Sequence, residues 1–474
     1  MTDLDRTESG DAVTEALAAF AIETDAASIP ARVYAAARIA LLDALGCAFA
    51  GWDAEGVHAA AALALEQGGA AQATLWFRDR KIPAPTAAFA NAVQLHALDF
   101  DDYHPPSDAH ITSVLVPVVL ATAEETDASG RETLAALILG ADVVGRLGRA
   151  CRKRREQQGF LPTSLIGGFG AAAAACRLRG CSVRQTVDAF GIFYAHASGN
   201  RQALYDRTLT KRMQPGIAAR AALTACLLAE KGVSGPRRIF GRQPASLPRL
   251  YGFNAGGENS PLTVEEITQA HDRWTLEELE YKRFACCGVS SPAVDTVISL
   301  AQEHDLTAEQ VEVIRVFDCR TQSPLGSARW TDHPTPQVLA QFCIAYAVAS
   351  ALENRRFGPG EIAPNRIAED RVVDELARGV ELHDRDDWPD DMAPHASAVE
   401  LQLKDGRVVK KLNKSFRRFQ SPEDDASIIT KCRENLIFSG RVDDTGAEQF
   451  LDAVQCLDQS PAIRPLIREF LASE

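Results

Sequence analysis

The chain has 474 residues, 46% of them hydrophobic and 24% charged, a mixture typical of globular proteins that excludes a fibrous repeat or a disordered chain. Lys and Arg number 50 against 64 Asp and Glu, and the net charge of -14 argues against nucleic acid or an anionic membrane surface as partner. At roughly 100–200 residues per domain, the length predicts two or three domains.

Cys151-Arg152-Lys153-Arg154-Arg155 is the one dense basic cluster, and it reads as a solvated helix face or a local anion site. No run is read as reaching the roughly 20 apolar residues of a bilayer span. The acidic start, Met1-Thr2-Asp3-Leu4-Asp5, lacks the basic region of a secretory signal. Eleven cysteines without a C-x-x-C, among them Cys47, Cys176, Cys226 and Cys343 in apolar helical contexts, predict buried thiols in a reduced cytoplasmic protein.

The first half reads as successive helices. Ser28-Ile29-Pro30 predicts a helix start, Val33, Ala37, Ala40, Leu41, Ala44 and Leu45 form its apolar stripe, and Gly51 ends it. Capping boxes at Ser129–Glu132 and Ser182–Gln185 open two more helices. Thr163 is the expected cap of an alanine-rich inner helix through Gly170–Ala175. Beyond about Thr263 the texture changes. Thr307–Gln310 is a capping pattern ahead of a β-branched strand, Val311–Phe317. Val399–Leu403 alternates with period two and meets Asp405-Gly406, a hairpin signal, before Val408-Val409. A smaller α+β unit is therefore expected over residues 269–412, after a helical part spanning 1–268. Residues 413–474 return to helix, with Ile428, Leu436, Phe450, Leu451, Val454 and Ile463 as apolar positions expected to pack on the helical part.

The densest chemistry lies between His96 and His110. This stretch carries His96, Asp99, Asp101, Asp102, His104, Asp108 and His110, and Pro105-Pro106 keeps its middle out of helix. Carboxylates and imidazoles on a loop between apolar helices suit acid–base catalysis or metal binding. No standard metal-ligand spacing is present, so no metal is expected. A second group, Arg201-Gln202-Ala203-Leu204-Tyr205 with Lys211-Arg212-Met213-Gln214, suits a carboxylate: arginine offers a fork, lysine a point charge, tyrosine and glutamine directional donors. A cation-decorated helix end is the alternative. The third is Lys282–Cys287, whose adjacent cysteines read as a buried structural pair rather than nucleophiles. Gly167-Gly168-Phe169-Gly170 has no preceding strand and reads as helix packing. With no Walker lysine motif and no G-x-S-x-G elbow, nucleotide hydrolysis and redox cofactors are unsupported.

These stretches give the chain its resemblance to the MmgE/PrpD family, which includes methylcitrate dehydratase, cis-aconitate decarboxylase and iminodisuccinate epimerase. Leu41–Gly46, His96–Asp102, Gly168–Ala174 and Lys211–Gly216 are similar to family motifs in the same order, and Lys282–Cys287 resembles the opening of the second family domain. The resemblance implies a mainly α fold, with an all-helical domain built from both ends of the chain and a smaller α+β lid domain. It also implies a homodimer, an active site in the cleft, no cofactor, and a small carboxylate substrate. The implied reaction is a lyase or isomerase step that removes a proton or carbon dioxide next to a carboxylate, by dehydration, decarboxylation or epimerisation.

Residue by residue, the resemblance implies that Asp99 or His110 handles the proton, while Lys211, counted with them as catalytic, and Lys282 hold carboxylates and stabilise developing charge. Tyr103, His104, Arg201, Tyr205, Gln214 and Cys287 complete the expected binding set. Three departures stand out. Leu161 and Gln214 replace family histidines, and Tyr103 replaces a common threonine. Fewer cations favour a smaller or less charged acid, or an amide or imino acid, over a tricarboxylate. The competing readings are a metal-assisted hydrolase using His104, His110 and the aspartates, and a non-catalytic carboxylate binder.

Overall fold

The protein is described as a computed structural model covering residues 10–152, 159–252, 262–269, 273–317, 329–383, 396–414 and 416–472. Among the described residues, nine main helices occupy its first half: α1 (Gly10–Glu23), α2 (Ala31–Ala50), α3 (Val57–Gln67), α4 (Ala84–Leu95), α5 (Thr112–Thr126), α6 (Gly130–Arg152), α7 (Pro162–Leu178), α8 (Val183–Tyr194) and α9 (Thr210–Glu230). The fold is mainly α.

Local chemistry accounts for most of these boundaries. Gly51 ends α2, its N–H closing on the Cys47 carbonyl at 2.9 Å. The Ser182–Gln185 box is formed in both directions at the start of α8. The Ser129 hydroxyl accepts from the Glu132 N–H at the start of α6. Two expected caps are not made. Helix α2 starts after Pro30, and Ser28 instead closes a short 3-10 turn that Asp25 caps. Thr163 lies inside the first turn of α7, where its hydroxyl accepts the His110 backbone N–H at 3.0 Å. Pro162 begins that helix without a cap, so the threonine is free to hold the loop opposite.

Helix α2 corrects one expectation. Among the described residues it is the one helix long and apolar enough to cross a membrane, yet 89% of its apolar window is buried inside the protein. Its hydrophobicity is that of a helix enclosed on all sides. The glycines of α7 allow close crossing, since a Cβ at Gly170 would collide with the Gly140 carbonyl of α6. The basic cluster lies outside the described residues beyond Cys151 and the backbone of Arg152.

The later part contains α10 (Ser291–Glu303), α11 (Pro336–Gln341), α12 (Ile344–Asn354) and α13 (Arg371–Arg378), around strands β1 (Val311–Phe317), β2 (Glu381–His383), β3 (Ser397–Leu403) and β4 (Val408–Asn413). The sheet order is β2-β1-β3-β4, with β2 parallel to β1 and the other pairs antiparallel. The turn between β3 and β4 uses Gly406 at a φ of 88°, a conformation that favours glycine. Helices α14 (Asp425–Phe438) and α15 (Asp444–Gln455) follow.

Two main apolar cores and a small third cluster form among the described residues. The larger joins α1, α2 and α5–α9 with Ile428, Leu436, Phe450, Leu451, Val454 and Ile463. The smaller lies between the sheet and α10, α12 and α13, and takes in Ala97, Leu98 and Phe100. Ala109 and Ile111 belong to the larger core. The loop from His96 to His110 therefore leaves one core and enters the other, and its polar residues sit on the seam.

Candidate active site

The loop is held by its own carboxylates. Asp102, fully buried, accepts the N–H groups of Ile111 and Thr112 at 3.0 and 3.1 Å and the Thr112 hydroxyl, which fixes the entry to α5. Burial and the neighbouring Asp101 charge push its pKa up to about 6. Asp99 lies in the left-handed region at a φ of 51°, which aspartate tolerates better than branched residues. That turn aims its carboxylate and its carbonyl at cations from two other segments.

Lys211, in the first turn of α9, donates to Asp99 Oδ1, and Lys282 donates to Oδ2 at 2.6 Å and to the Asp99 carbonyl at 2.5 Å. All three residues are buried. Burial by itself would raise the Asp99 pKa, but Lys211 and Lys282 outweigh it and hold the carboxyl far below the usual range. Burial lowers the pKa of Lys211, against the pull of Asp99.

Behind Lys211 stands a pair that the sequence reading left out of the candidate set. His96 Nδ1 lies 2.8–2.9 Å from both oxygens of Asp101, and its Nε2 is 2.5 Å from Lys211 Nζ. Burial brings the His96 pKa down to about 4 despite the Asp101 charge, so its neutral Nε2 accepts from the ammonium. Asp101 stays ionised because His96 and His110 together overcome its burial. His110 lies on the open side: its Nδ1 is 3.4 Å from Asp101 Oδ2 and its Nε2 is 3.9 Å from Asp99 Oδ1. Its ring packs edge-on to His96 and Tyr103, with centroids at 4.8 and 6.0 Å.

These groups face a cavity of about 400 Å³ whose lining includes Asp99, Tyr103, His110, Arg201, Lys211, Lys282, Cys287 and Arg418. Arg201 bonds Asp108 Oδ2 at 2.7 Å, and the Tyr103 hydroxyl bonds Asp108 Oδ1 at the same distance. Arg418 arrives through a short strand pairing. Glu280–Tyr281 pairs with Phe419–Gln420, Glu280 also bridges to Tyr103, and the Arg418 guanidinium bonds the Glu280 carboxylate. One sheet edge thus brings together Tyr103, Lys282 and Arg418 from three distant segments. No motif marks Arg418, and only the pairing reveals it.

Three expected binding residues do not line the cavity. His104 is buried with Nδ1 2.8 Å from the Ser107 hydroxyl and Nε2 turned toward Glu278. Tyr205 points outward and is partly exposed. Gln214 bonds both backbone groups of Asn200, at 2.7 and 2.9 Å, and so positions the segment bearing Arg201. Cys287 does line the cavity, but burial raises the pKa of both cysteines, Cys286 to about 12, which keeps them as thiols and fits the structural reading.

His96, Asp99, Asp101 and His110 offer four donor atoms within 4.8 Å of one another. The Lys211 ammonium already lies between His96 Nε2 and Asp99, so a metal ion would have to displace it. His104, expected in a metal set, is not part of this group. Cys176, Cys181 and Cys226 form a separate buried thiol cluster that does not line the cavity. A larger groove of about 910 Å³ runs past Phe284, Arg356 and Phe438, but its one lysine, Lys431, is committed to Asp43. The convergent chemistry is in the smaller cavity.

Residues 15–249 match the MmgE/PrpD N-terminal domain and residues 284–459 the MmgE/PrpD C-terminal domain. The chain belongs to the MmgE/PrpD family. It is 26% identical to the cis-aconitate decarboxylase-like protein oryM of Aspergillus oryzae, over 98% of each chain. It is 27% identical to human cis-aconitate decarboxylase over 85% of this chain and 83% of that one, and 23% identical to an Aspergillus terreus cis-aconitate decarboxylase over 93% and 92%. Leu161 lines the cavity, and Gln214 does not.

Proposed function

We propose that the protein is a lyase or isomerase of the MmgE/PrpD family acting on a small carboxylate through a carbanion next to the carboxyl group, with no cofactor required. The observation that carries this reading is the convergence of Lys211 and Lys282 on one buried carboxylate, with His110 beside them on the cavity wall. The geometry favours His110 over Asp99 as the proton carrier. A carboxylate clamped by two ammonium groups is a poor base, whereas an imidazole backed by Asp101 can take and return a proton.

In proton removal, His110 takes the α-proton, and negative charge spreads onto the substrate carboxylate. Lys211 and Lys282, both buried, stabilise that charge. In decarboxylation the C–CO₂ bond breaks, its electron pair forms the same carbanion, and protonated His110 delivers a proton to it. Arg201 and Arg418 are placed to bind a second carboxylate. The 269–412 segment, through Cys287, Val289 and Phe342, would act as the lid.

Proton NMR in D₂O with a panel of small di- and tricarboxylates tests the reading. Loss of an α-proton signal or growth of vinyl signals is the expected result. Ligand binding without any exchange or product would point instead to a carboxylate-binding protein. Lys211→Met is expected to lower kcat about 10²–10³-fold, as for loss of one oxyanion-stabilising donor. Asp99→Asn should weaken turnover by releasing the lysines while leaving deuterium exchange measurable. A folded Asp99→Asn protein with no exchange at all would transfer the base role to Asp99.

A further inference from the structure

The cavity lining is mixed: beside the ionic groups it carries Leu161, Leu204, Val289 and Phe342, with the Phe342 ring centre 5.7 Å from the Lys211 ammonium. Leu204 and Phe342 form a small apolar cluster with Cys287 and Val338, separate from both main cores, with Val289 packed against it. A satellite cluster that opens onto a cavity leaves apolar surface for a ligand to cover.

The ionic side is nearly balanced before any ligand arrives. Lys211 and Lys282 share Asp99, Arg201 is paired with Asp108, and Arg418 with Glu280. With Asp101 beside His110, four cations stand against four carboxylates and leave no net charge, or one positive charge when His110 is protonated. Each further substrate carboxylate then adds charge that is less compensated, and a third would do so beside leucine and phenylalanine, where burying an unpaired charge is costly. The volume of about 400 Å³ corresponds to about a dozen waters at about 30 Å³ each, more than a four-carbon diacid displaces.

We infer that the substrate is a dicarboxylate bearing an alkyl branch, with its two carboxylates on the lysine and arginine groups and the branch against Leu161, Leu204, Val289 and Phe342. This inference rests on the proposed function for the orientation of the substrate. It makes Leu161 a specificity-determining residue, placed where an imidazole would admit a further carboxylate.

The test uses the intact protein and unreactive probes: succinate and its 2-methyl, 2-butyl and 2-hexyl derivatives, with citrate as the tricarboxylate, measured by calorimetry. Affinity should rise by up to about fourfold per methylene until the wall is covered, and butylsuccinate should bind more tightly than citrate. Leu161→His should flatten the series and improve citrate binding, and Leu161→Ala should reduce the slope without helping citrate. If these variants fail to fold, the wild-type series alone decides. A flat series, or citrate binding more tightly than butylsuccinate, overturns the inference. Deuterium exchange on the same preparation separates the two claims. A rising series without exchange on any reactive diacid sinks the carbanion chemistry and keeps the alkyl pocket, whereas exchange with a flat series does the reverse.

Discussion

His110→Gln is expected to lower kcat by about 10²–10⁴-fold while leaving the fold intact, as for removal of a general acid–base. The imidazole lines the cavity, and its one carboxylate neighbour within 3.5 Å is Asp101, so glutamine replaces it at little structural cost. Substrate affinity should change far less than turnover, because Lys211, Lys282, Arg201 and Arg418 remain. Stopped NMR assays at several pH values check this, and the variant should also lose the limb of the pH–rate profile that reports the proton carrier. A loss below about tenfold would remove His110 from that role, given the usual size of the effect.

Asp43→Ala is expected to destabilise the protein by about 3–5 kcal/mol, the usual cost of leaving a buried charge without its partner. Asp43, in the middle of α2, accepts from Lys431 of α14 at 2.7 Å, and both are buried. The same ammonium donates to the Phe100 carbonyl at 2.7 Å and lies 3.9 Å from the Phe100 ring centre. One buried cation thus ties an N-terminal helix, a C-terminal helix and the residue after Asp99. Replacing both partners, Asp43→Ala with Lys431→Met, should recover much of the loss because no lone charge remains buried. Urea titration of the single and double variants measures the coupling. A single-variant loss below about 1 kcal/mol would place the pair in a solvent-like setting instead.

The aspartates of the loop show how far the sequence could be read. The stretch from His96 to His110 is conspicuous for its composition, and Pro105-Pro106 marks its middle as a loop. Yet Asp99, Asp101 and Asp102 do three different things. Asp99 anchors lysines 112 and 183 residues further along the chain, Asp101 holds two imidazoles, and Asp102 secures α5. In an irregular loop, spacing does not say which way a side chain points. The same blindness placed His104 at the site and kept His96, named in the stretch, out of the expected catalytic and binding set.

Helix periodicity, the Ser182–Gln185 box, the stop at Gly51 and the Asp405-Gly406 hairpin were readable because each depends on neighbours a few residues away. The same short-range logic failed at Ser28 and Thr163, where a different neighbour claimed the hydrogen bond. Convergence is another matter. Lys282 and Arg418 reach the cavity because two short strands pair far apart in sequence, and Leu161, Leu204, Val289 and Phe342 come to line it from separate segments of the chain. From its residues alone, the chain was committed to a helical protein with a hairpin-bearing α+β unit, a loop rich in acids and imidazoles, and lysines able to bind carboxylates. Which imidazole faces the cavity, which charges are already paired, and which apolar residues line it were settled only by tertiary packing, because burial and long-range pairing, not local spacing, set the charge state and direction of each side chain.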